Sequence, residues 1–148
     1  MANSTAMCTS FKQELLNGYH AFGTTVTRGA TTADTFKIAL YTSTSAMGAA
    51  TTAYTATNEI TGTGYTAGGA TLSNVAPTTS GTTAYTDFAD ASWTTATFTA
   101  NGALIYNSTQ SNRAVCSLSF GGDKTATAGT FTVVFPTADA TNAIIRLA

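Results

Sequence analysis

Apolar and hydroxyl-bearing positions alternate along much of the chain, and this period of two is typical of half-buried β-strands. The segment Thr35–Thr42 is the clearest case, because Phe36, Ile38 and Leu40 alternate with less apolar neighbours. The same pattern predicts strands at Ser92–Ala100, Ala103–Asn107, Ala114–Phe120, Thr130–Phe135 and Ala143–Leu147, and shorter ones around Ala53–Thr57, Ala70–Leu72 and Thr83–Phe88. Many short strands without crossover helices predict an all-β protein, an antiparallel β-sandwich or jelly roll.

One α-helix is predicted before the strands. Ser10 and Gln13 form a capping-box signal, and Gly23 follows the last apolar position. The apolar residues that share one face at helical spacing are Phe11, Leu15, Leu16, Tyr19 and Phe22. We therefore expect residues 1–23 to form an N-terminal arm and helix, and residues 24–148 to form the β-sandwich domain.

Two irregular segments complete this organisation. Met1–Thr9 is polar and without periodicity, so it is predicted to be an arm or a disordered end. Ser43–Thr86 is rich in Thr, Ala and Gly, and it is interpreted as long loops that cross one end of the sandwich. Glycines in this segment permit the positive φ angles of bends and bulges.

Two reversals are predicted within the strand-rich region. Asn101-Gly102 lies between two alternating runs, where both residues tolerate the positive φ of a type I′ hairpin turn. The second reversal is predicted at Gly121-Gly122-Asp123 and would join Ala114–Phe120 to Thr130–Phe135.

Composition shifts the expected function away from catalysis. Among 148 residues there are 34 Thr and 27 Ala, but one His, seven Asp or Glu and six Lys or Arg. With a net charge of −1, the sequence does not predict a basic surface that would bind nucleic acid or anionic lipid. No apolar run approaches the length of a membrane helix, and no basic-then-apolar N-terminus predicts a signal peptide. We expect no enzyme activity, no cofactor and no metal, and association through shape, apolar contact and hydrogen bonds.

Each candidate chemical group has a structural interpretation that fits better. His20 lies beside an aromatic residue in the predicted helix, and no second histidine exists to complete a site. Asp87 and Asp90 could bind Ca²⁺ or act as acid and base, but without further acidic neighbours they are interpreted as turn and cap residues. Cys8 and Cys116 are too few and too far apart for a disulfide framework or metal cluster, so both are predicted to be free thiols.

Aromatic residues are the more informative candidates. Tyr54, Tyr65 and Tyr85 lie in or beside the Gly- and Thr-rich loops, where a ring could stack on a sugar or enter a partner's surface. Trp93 could do the same, although core packing is the preferred interpretation of this residue. The predicted contact residues for a partner are Phe11, Leu15, Tyr19, Tyr54, Tyr65 and Tyr85.

Three segments give the chain a resemblance to known proteins. They are Gly64-Tyr65-Thr66-Ala67-Gly68-Gly69, Gly102-Ala103-Leu104-Ile105-Tyr106-Asn107, and Phe120-Gly121-Gly122-Asp123-Lys124 leading into Gly129-Thr130-Phe131-Thr132-Val133-Val134-Phe135-Pro136. Together they resemble a family of small virion proteins of tailed bacteriophages, over roughly Asp34 to Ala148. Members look like head decoration, or cement, proteins, which are β-sandwich subunits that dock on the outside of the capsid and stabilise it.

The resemblance implies that the chain bridges neighbouring major capsid subunits on the exterior of a virion that is assembled in the host cytoplasm. Closed symmetry favours a dimer, with a trimer as the other option. The alternative is a tail- or head-fibre module that binds a receptor or glycan, with Tyr54, Tyr65 and Trp93 as its stacking platform.

Overall fold

A computed structural model of the protein describes residues 3–8, 11, 15, 19–24, 32–81 and 83–147. This part of the chain is all-β, with two antiparallel sheets. The strands are β1 (Ala6–Met7), β2 (Phe36–Tyr41), β3 (Ala70–Thr71), β4 (Asn74–Ser80), β5 (Thr83–Phe88), β6 (Ala91–Asn107), β7 (Arg113–Val133) and β8 (Ile145–Leu147). The predicted all-β class is therefore confirmed.

The larger sheet is built around one long hairpin. Strands β6 and β7, of 17 and 21 residues, pair from Ala91↔Val133 to Asn107↔Arg113. The five strands follow the order β1-β7-β6-β2-β3, and the smaller sheet follows the order β4-β5-β8. Strand β2 pairs along the outer edge of β6, from Phe36↔Asn107 to Tyr41↔Gly102.

Aromatic side chains connect the two sheets. Phe36 of β2 lies 5.6 Å, centroid to centroid, from Phe88 of β5. The ring of Phe22 stacks on Phe36 at 4.6 Å and lies 6.4 Å from Phe88, so the segment before β2 fills the same core. All three rings are buried, and burial of one such side chain contributes about 2 kcal/mol.

The predicted turn at Asn101-Gly102 is wrong. Both residues lie inside β6, and Gly102 pairs with Ser119. A Cβ on Gly102 would lie 2.5 Å from the Leu118 carbonyl oxygen and 2.7 Å from Asn3 Nδ2. The glycine is therefore needed because the main chain of β7 and the side chain of Asn3 both lie too close to this position for a Cβ.

The predicted reversal at Gly121-Gly122-Asp123 is also wrong. Ala100 pairs with Lys124 and Gly102 with Ser119, so residues 120–123 of β7 all oppose Asn101. Gly121 and Gly122 have φ angles of +70° and +140°, which a large bulge requires. Asn101 Nδ2 donates a hydrogen bond to Asp123 Oδ1 at 2.8 Å and holds the bulge to β6.

Other strand predictions have mixed outcomes. Thr83–Phe88 is β5 with the predicted bounds, and β2, β3 and β8 lie inside their predicted ranges. The predicted strand Ala53–Thr57 supplies only one isolated bridge, between Ala53 and Arg113. Strand β4 was not predicted and lies in the segment interpreted as loops. It contains Pro77 and is at the edge of its sheet, where a missing N–H is tolerated.

Of the two alternatives predicted for Met1–Thr9, an arm or a disordered end, the described residues 3–8 form an arm that is part of the sheet. Ala6 and Met7 of β1 pair with β7 at Ser117 and Cys116, and Cys8 N donates to the Val115 carbonyl oxygen. Asn3 is buried, and its Oδ1 accepts a hydrogen bond from Met47 N. A short polar segment thus adds a strand to an existing edge.

The predicted helix is not seen as an element of the described part. Phe11 and Leu15 have helical backbone, but residues 12–14 and 16–18 of the predicted helix lie outside the described residues. Tyr19 and Phe22, which were predicted to continue the helix, are not helical. Asp34 Oδ2 accepts a hydrogen bond from Ala21 N in this non-helical stretch.

Two glycines provide a matched test of the fold. A Cβ on Gly69 (φ +71°) would lie 1.8 Å from the Ile38 carbonyl oxygen, whereas one on Gly81 (φ +58°) would have no atom within 4 Å. Gly81→Ala should cost about 1–2 kcal/mol from its backbone angle alone. Gly69→Ala should cost at least about 2 kcal/mol more, because β2 must move. Urea unfolding of both variants checks this, and equal losses would contradict the close packing at Gly69.

Candidate functional site

The structure places the six predicted contact residues in separate environments. Tyr54 and Tyr65 belong to a polar cluster around Glu59, and Leu15 and Tyr85 line one apolar groove. Phe11 and Tyr19 belong to neither group, so the six residues do not form one continuous surface.

The polar cluster is centred on the carboxylate of Glu59. Oε1 of Glu59 accepts hydrogen bonds from the Tyr65 hydroxyl at 2.6 Å and from Gly68 N at 2.7 Å. Oε2 accepts a hydrogen bond from the Tyr54 hydroxyl at 2.7 Å. Three donors from different parts of the loop thus converge on one charged acceptor, and hydrogen bonds of this kind are about twice as strong as neutral ones.

Further contacts attach this cluster to the larger sheet. The Tyr65 hydroxyl also accepts a hydrogen bond from Leu40 N at 2.9 Å, in β2. The Tyr106 hydroxyl, in β6, donates to the Gly68 carbonyl oxygen at 2.7 Å, and the Tyr106 ring stacks on Tyr54 at 4.8 Å. The predicted long loops therefore have defined positions, because a single carboxylate and its tyrosines hold them on the sheet.

The tyrosines of the cluster remain neutral well above physiological pH. Burial, followed by the hydrogen bond to Glu59 and its charge, raises the pKa of Tyr54 to about 12. Burial and the charge of Glu59 raise the pKa of Tyr106 to about 12. Burial also raises the pKa values of Tyr41 and Tyr65. These hydroxyls therefore act as permanent hydrogen-bond donors and hold the loops.

Trp93 contributes little surface to a stacking platform. It is 7% exposed, and its ring lies 6.2 Å from Tyr65 and 6.1 Å from Phe131, centroid to centroid. Trp93 is thus a core residue, which was the interpretation preferred from the sequence. Tyr65 packs on Trp93 and Phe98, whereas Tyr54 stacks on Tyr106, so the three aromatics proposed for glycan stacking pack mainly on rings of the fold and do not form one platform.

The apolar groove lies on the smaller sheet, and we refer to it as the Tyr85 groove. It has a volume of about 180 Å³. Its walls are formed by Leu15, Phe22, Pro77, Ala84, Tyr85, Thr86, Ile145 and Leu147. Leu147 is 48% exposed at its rim. The groove thus joins residues from the N-terminal segment, β4, β5 and β8 in one apolar recess.

Phe11 and Tyr19 differ sharply in exposure. Phe11 is completely buried, with its ring centroid 4.7 Å from His20 and 5.9 Å from Phe22, so it faces the core. Tyr19 is 41% exposed, and the Arg113 guanidinium lies 4.6 Å from its ring centroid. Of the two, only Tyr19 presents a large surface to a partner.

His20 belongs to a buried polar junction. Two main-chain N–H groups, of Thr109 and Gln110, donate to Asn107 Oδ1 and so fix the orientation of its amide. Asn107 Nδ2 donates to Asp34 Oδ2 at 2.7 Å and lies 3.2 Å from His20 Nδ1. This junction links the segment before β2 to the end of β6, which agrees with a structural interpretation of the histidine.

The remaining candidates also have structural roles. Asp87 accepts hydrogen bonds from Phe88 N and Ile144 N, and burial raises its pKa. Asp90 Oδ1 accepts from Phe135 N at 2.8 Å. Both carboxylates thus bind main-chain N–H groups, but Asp87 lies fully buried inside β5 and is not the predicted turn or cap residue. Cys8 and Cys116 form no disulfide with each other, both are buried, and burial raises the pKa of Cys116.

Glu59 is the residue that sequence reasoning missed. One signal was available, since Glu59 is the only acidic residue between Asp34 and Asp87, and four of the six tyrosines of the chain surround it in the fold. The sequence did not show that tyrosines from two strands and two loops would meet there.

Two kinds of feature are absent from the described residues. These residues contain no group of three or more His, Cys, Asp or Glu side chains that could hold a metal ion. They also contain no helix long and apolar enough to cross a membrane.

Comparison with protein-family models, with curated proteins and with solved structures gives no match. The function must therefore be argued from the residues of this chain.

The Glu59 cluster predicts an uneven response to loss of a tyrosine hydroxyl. Tyr65→Phe removes a donor to Glu59 and leaves Leu40 N without its acceptor, so we expect a loss of about 1–3 kcal/mol in unfolding free energy. Tyr85→Phe is the matched control, because the Tyr85 hydroxyl makes no hydrogen bond within the described part of the chain. Urea unfolding measures both, and a Tyr65→Phe variant as stable as the control would contradict the cluster.

The tyrosine pKa values predict alkaline destabilisation. The ordinary tyrosine pKa of 10.0 rises to about 12 for Tyr54 and Tyr106 in the folded protein, so folding favours the neutral phenols. Their contribution to stability is complete below pH 10 and is lost as the pH rises towards 12. Thermal melting between pH 8 and 12 should show this decline, with tyrosinate absorbance as a parallel readout. Tyr54→Phe should flatten it, and an unchanged pH profile in this variant would argue against the assignment.

Proposed function

We propose that the chain is a non-enzymatic decoration, or cement, protein of a tailed bacteriophage. It docks on the outer surface of the capsid and bridges neighbouring subunits of the major capsid protein. The observation that carries this proposal is the Tyr85 groove, an apolar recess that brings Leu15 and Tyr85 together. Apolar recesses on a polar surface are typical of contact sites for other proteins.

The low charge of the chain supports a docked existence. Six basic and seven acidic residues among 148 leave little repulsion between molecules, which is a disadvantage for a freely diffusing protein. A subunit that is assembled in the host cytoplasm and then covers a virion does not need that repulsion for long. Binding to the capsid would depend on apolar area and hydrogen bonds, and it should depend only weakly on salt.

Mass action would make such docking stabilise the shell. A protein that binds the assembled lattice better than separated subunits favours the lattice by RT ln(1 + [L]/Kd) at each site. The defined positions of the loops support this role, because a bridging subunit transmits force only if its own surface does not deform. Glu59 and its tyrosines hold the loops in this way.

The proposal also includes how the two sheets pack on each other. The two sheets would pack as a β-sandwich of the jelly-roll type, with Phe36 and Phe88 in contact between them. Phe11 is turned inwards, and Leu15 lies at the Tyr85 groove.

A reconstitution experiment tests the function. Purified protein is mixed with undecorated shells of the major capsid protein encoded by the same phage genome, and the sedimented ratio and the temperature of DNA release from filled heads are measured. Saturable binding at a fixed ratio with a higher release temperature is expected. Absence of binding would contradict the proposal, and binding to a glycan array instead would favour a fibre module.

Substitutions at the groove locate the contact. Leu147→Asp places a carboxylate at the exposed rim of the Tyr85 groove, and burial of this charge against a shell should weaken binding at least about tenfold. Thr94→Asp, at an exposed position of β6, adds the same charge outside the groove. It should bind normally, and equal effects of the two substitutions would place the contact elsewhere.

A further inference from the structure

The outer edge of β7 is open along most of its length. The N-terminal arm covers this edge from Val115 to Ser119, through the β1 pairs at Cys116 and Ser117 and through hydrogen bonds from Cys8 N to the Val115 carbonyl oxygen and from Ser119 N to Thr5 Oγ1. From Leu118 to Val133, β7 pairs with β6 on its other side, and the described part of the chain supplies no second strand neighbour. An open edge of this kind presents unpaired main-chain donors and acceptors to other molecules.

The sequence of the open edge lacks the usual protection against pairing. No charged residue occurs between Lys124 and Asp139. A bulge at Ala128 (φ +49°) interrupts the first half, but Phe131, Thr132 and Val133 pair with consecutive residues of β6 and are regular. Uncharged, β-branched and aromatic edges of this kind associate unless something covers them.

Apolar side chains extend this edge into a surface. A shallow trough of about 440 Å³ is lined by Phe120, Lys124, Thr125, Ala126, Thr130, Phe131, Thr132 and Val133. A second recess of about 370 Å³ shares Phe120 and Val133 with it, so the two are continuous. Val134 lines this recess and is 72% exposed, the most exposed large hydrophobic residue in the described part of the chain.

We propose that a second copy of this chain covers the edge, with the two β7 strands antiparallel around a two-fold axis near Thr132. The proposal rests on the decoration function and specifies its self-association. The segment is complementary to itself, because a register centred on Thr132 places Phe131 opposite Val133 of the second copy. The same register places Val134 opposite Thr130 of the second copy, beside the trough.

The hydroxyl ladder of the ribbon supports this register. Ser92 Oγ and Thr132 Oγ1 already form a hydrogen bond of 2.9 Å between β6 and β7. Thr132 opposite its own copy would continue this row across the interface, and cross-strand Thr pairs are favourable. Because the paired segment contains no charge, no like charges oppose each other.

Symmetry explains why a second copy is favoured over an unlimited assembly. A two-fold contact uses the same edge on both molecules, so the association closes at two. A closed pair would present two Tyr85 grooves, which suits a protein that bridges neighbouring capsid subunits.

Cysteine cross-linking of the full chain tests the contact. Opposed Cα atoms in an antiparallel pair lie about 4.5–5.5 Å apart, within disulfide range. Under copper-phenanthroline oxidation, which removes two electrons and two protons from the paired thiols, Thr132→Cys should give a covalent dimer of twice 15.1 kDa. Thr94→Cys, at an exposed position on β6, is the control and should remain monomeric on a non-reducing gel.

A charge substitution supplies a second readout. Sedimentation equilibrium should give a dimer for the natural chain and for Thr94→Lys, and a monomer for Thr132→Lys, where two ammonium groups would meet at the axis. A monomeric natural chain at all concentrations, or Thr132→Cys no more cross-linked than Thr94→Cys, would overturn the proposal. Shell binding by the Thr132→Lys monomer separates this outcome from failure of the decoration function, which depends on the Tyr85 groove.

Discussion

Strands β6 and β7 pair along almost their whole length, and each offers its outer edge to another segment, β2 on β6 and β1 on β7. This pairing brings Trp93, Phe98 and Phe131 onto one face, where their rings pack together. It also positions Tyr106, whose hydroxyl donates a hydrogen bond to the Gly68 carbonyl oxygen and so holds the loop that ends at Gly69. A shift of one residue between β6 and β7 would turn these side chains to the other face, so the positions of the loops and of the arm depend on this register.

The high threonine content follows from this architecture. A long two-stranded ribbon needs residues that favour the extended backbone and still tolerate water on its outer face. Threonine meets both demands, because it is β-branched and carries a hydroxyl group. The pairs Ser92–Thr132 and Thr99–Thr125 show the hydroxyls bonded across the ribbon at 2.9 and 2.7 Å. Threonine thus supplies strand propensity and cross-strand contacts without charge.

Strand periodicity was predictable where a strand contacts the core on one face, as in Thr83–Phe88 and in Phe36–Tyr41. The wrong turn predictions occurred where contacts with residues distant in sequence, and not the local residue types, determine the backbone conformation. Gly102 resembles a turn residue, but the Leu118 carbonyl oxygen of β7 and the side chain of Asn3 occupy the space that a Cβ would need. The bulge at Gly121 and Gly122 is likewise set by pairing on both sides of Asn101. Two residues of the Tyr85 groove, Leu15 and Tyr85, were predicted from the sequence as contact residues. The role of Glu59 was not predictable, because it depends on tyrosines that only the folded strands and loops bring together.

Internal order and external association have different physical origins in this chain. Inside, a charged group is used where its hydrogen bonds can be fully satisfied, as at Glu59 and at Asp34 with Asn107. Outside, the lining of the Tyr85 groove and residues 125–138, which include the end of β7, carry no charge, although Arg146 lies opposite Tyr85 and Lys124 lies at the trough. A carboxylate or lysine at an exposed position inside either surface would oppose association at little cost in stability, since exposed substitutions usually change stability by less than about 0.5 kcal/mol. The fold therefore does not require these uncharged surfaces, and the proposed contacts would account for them.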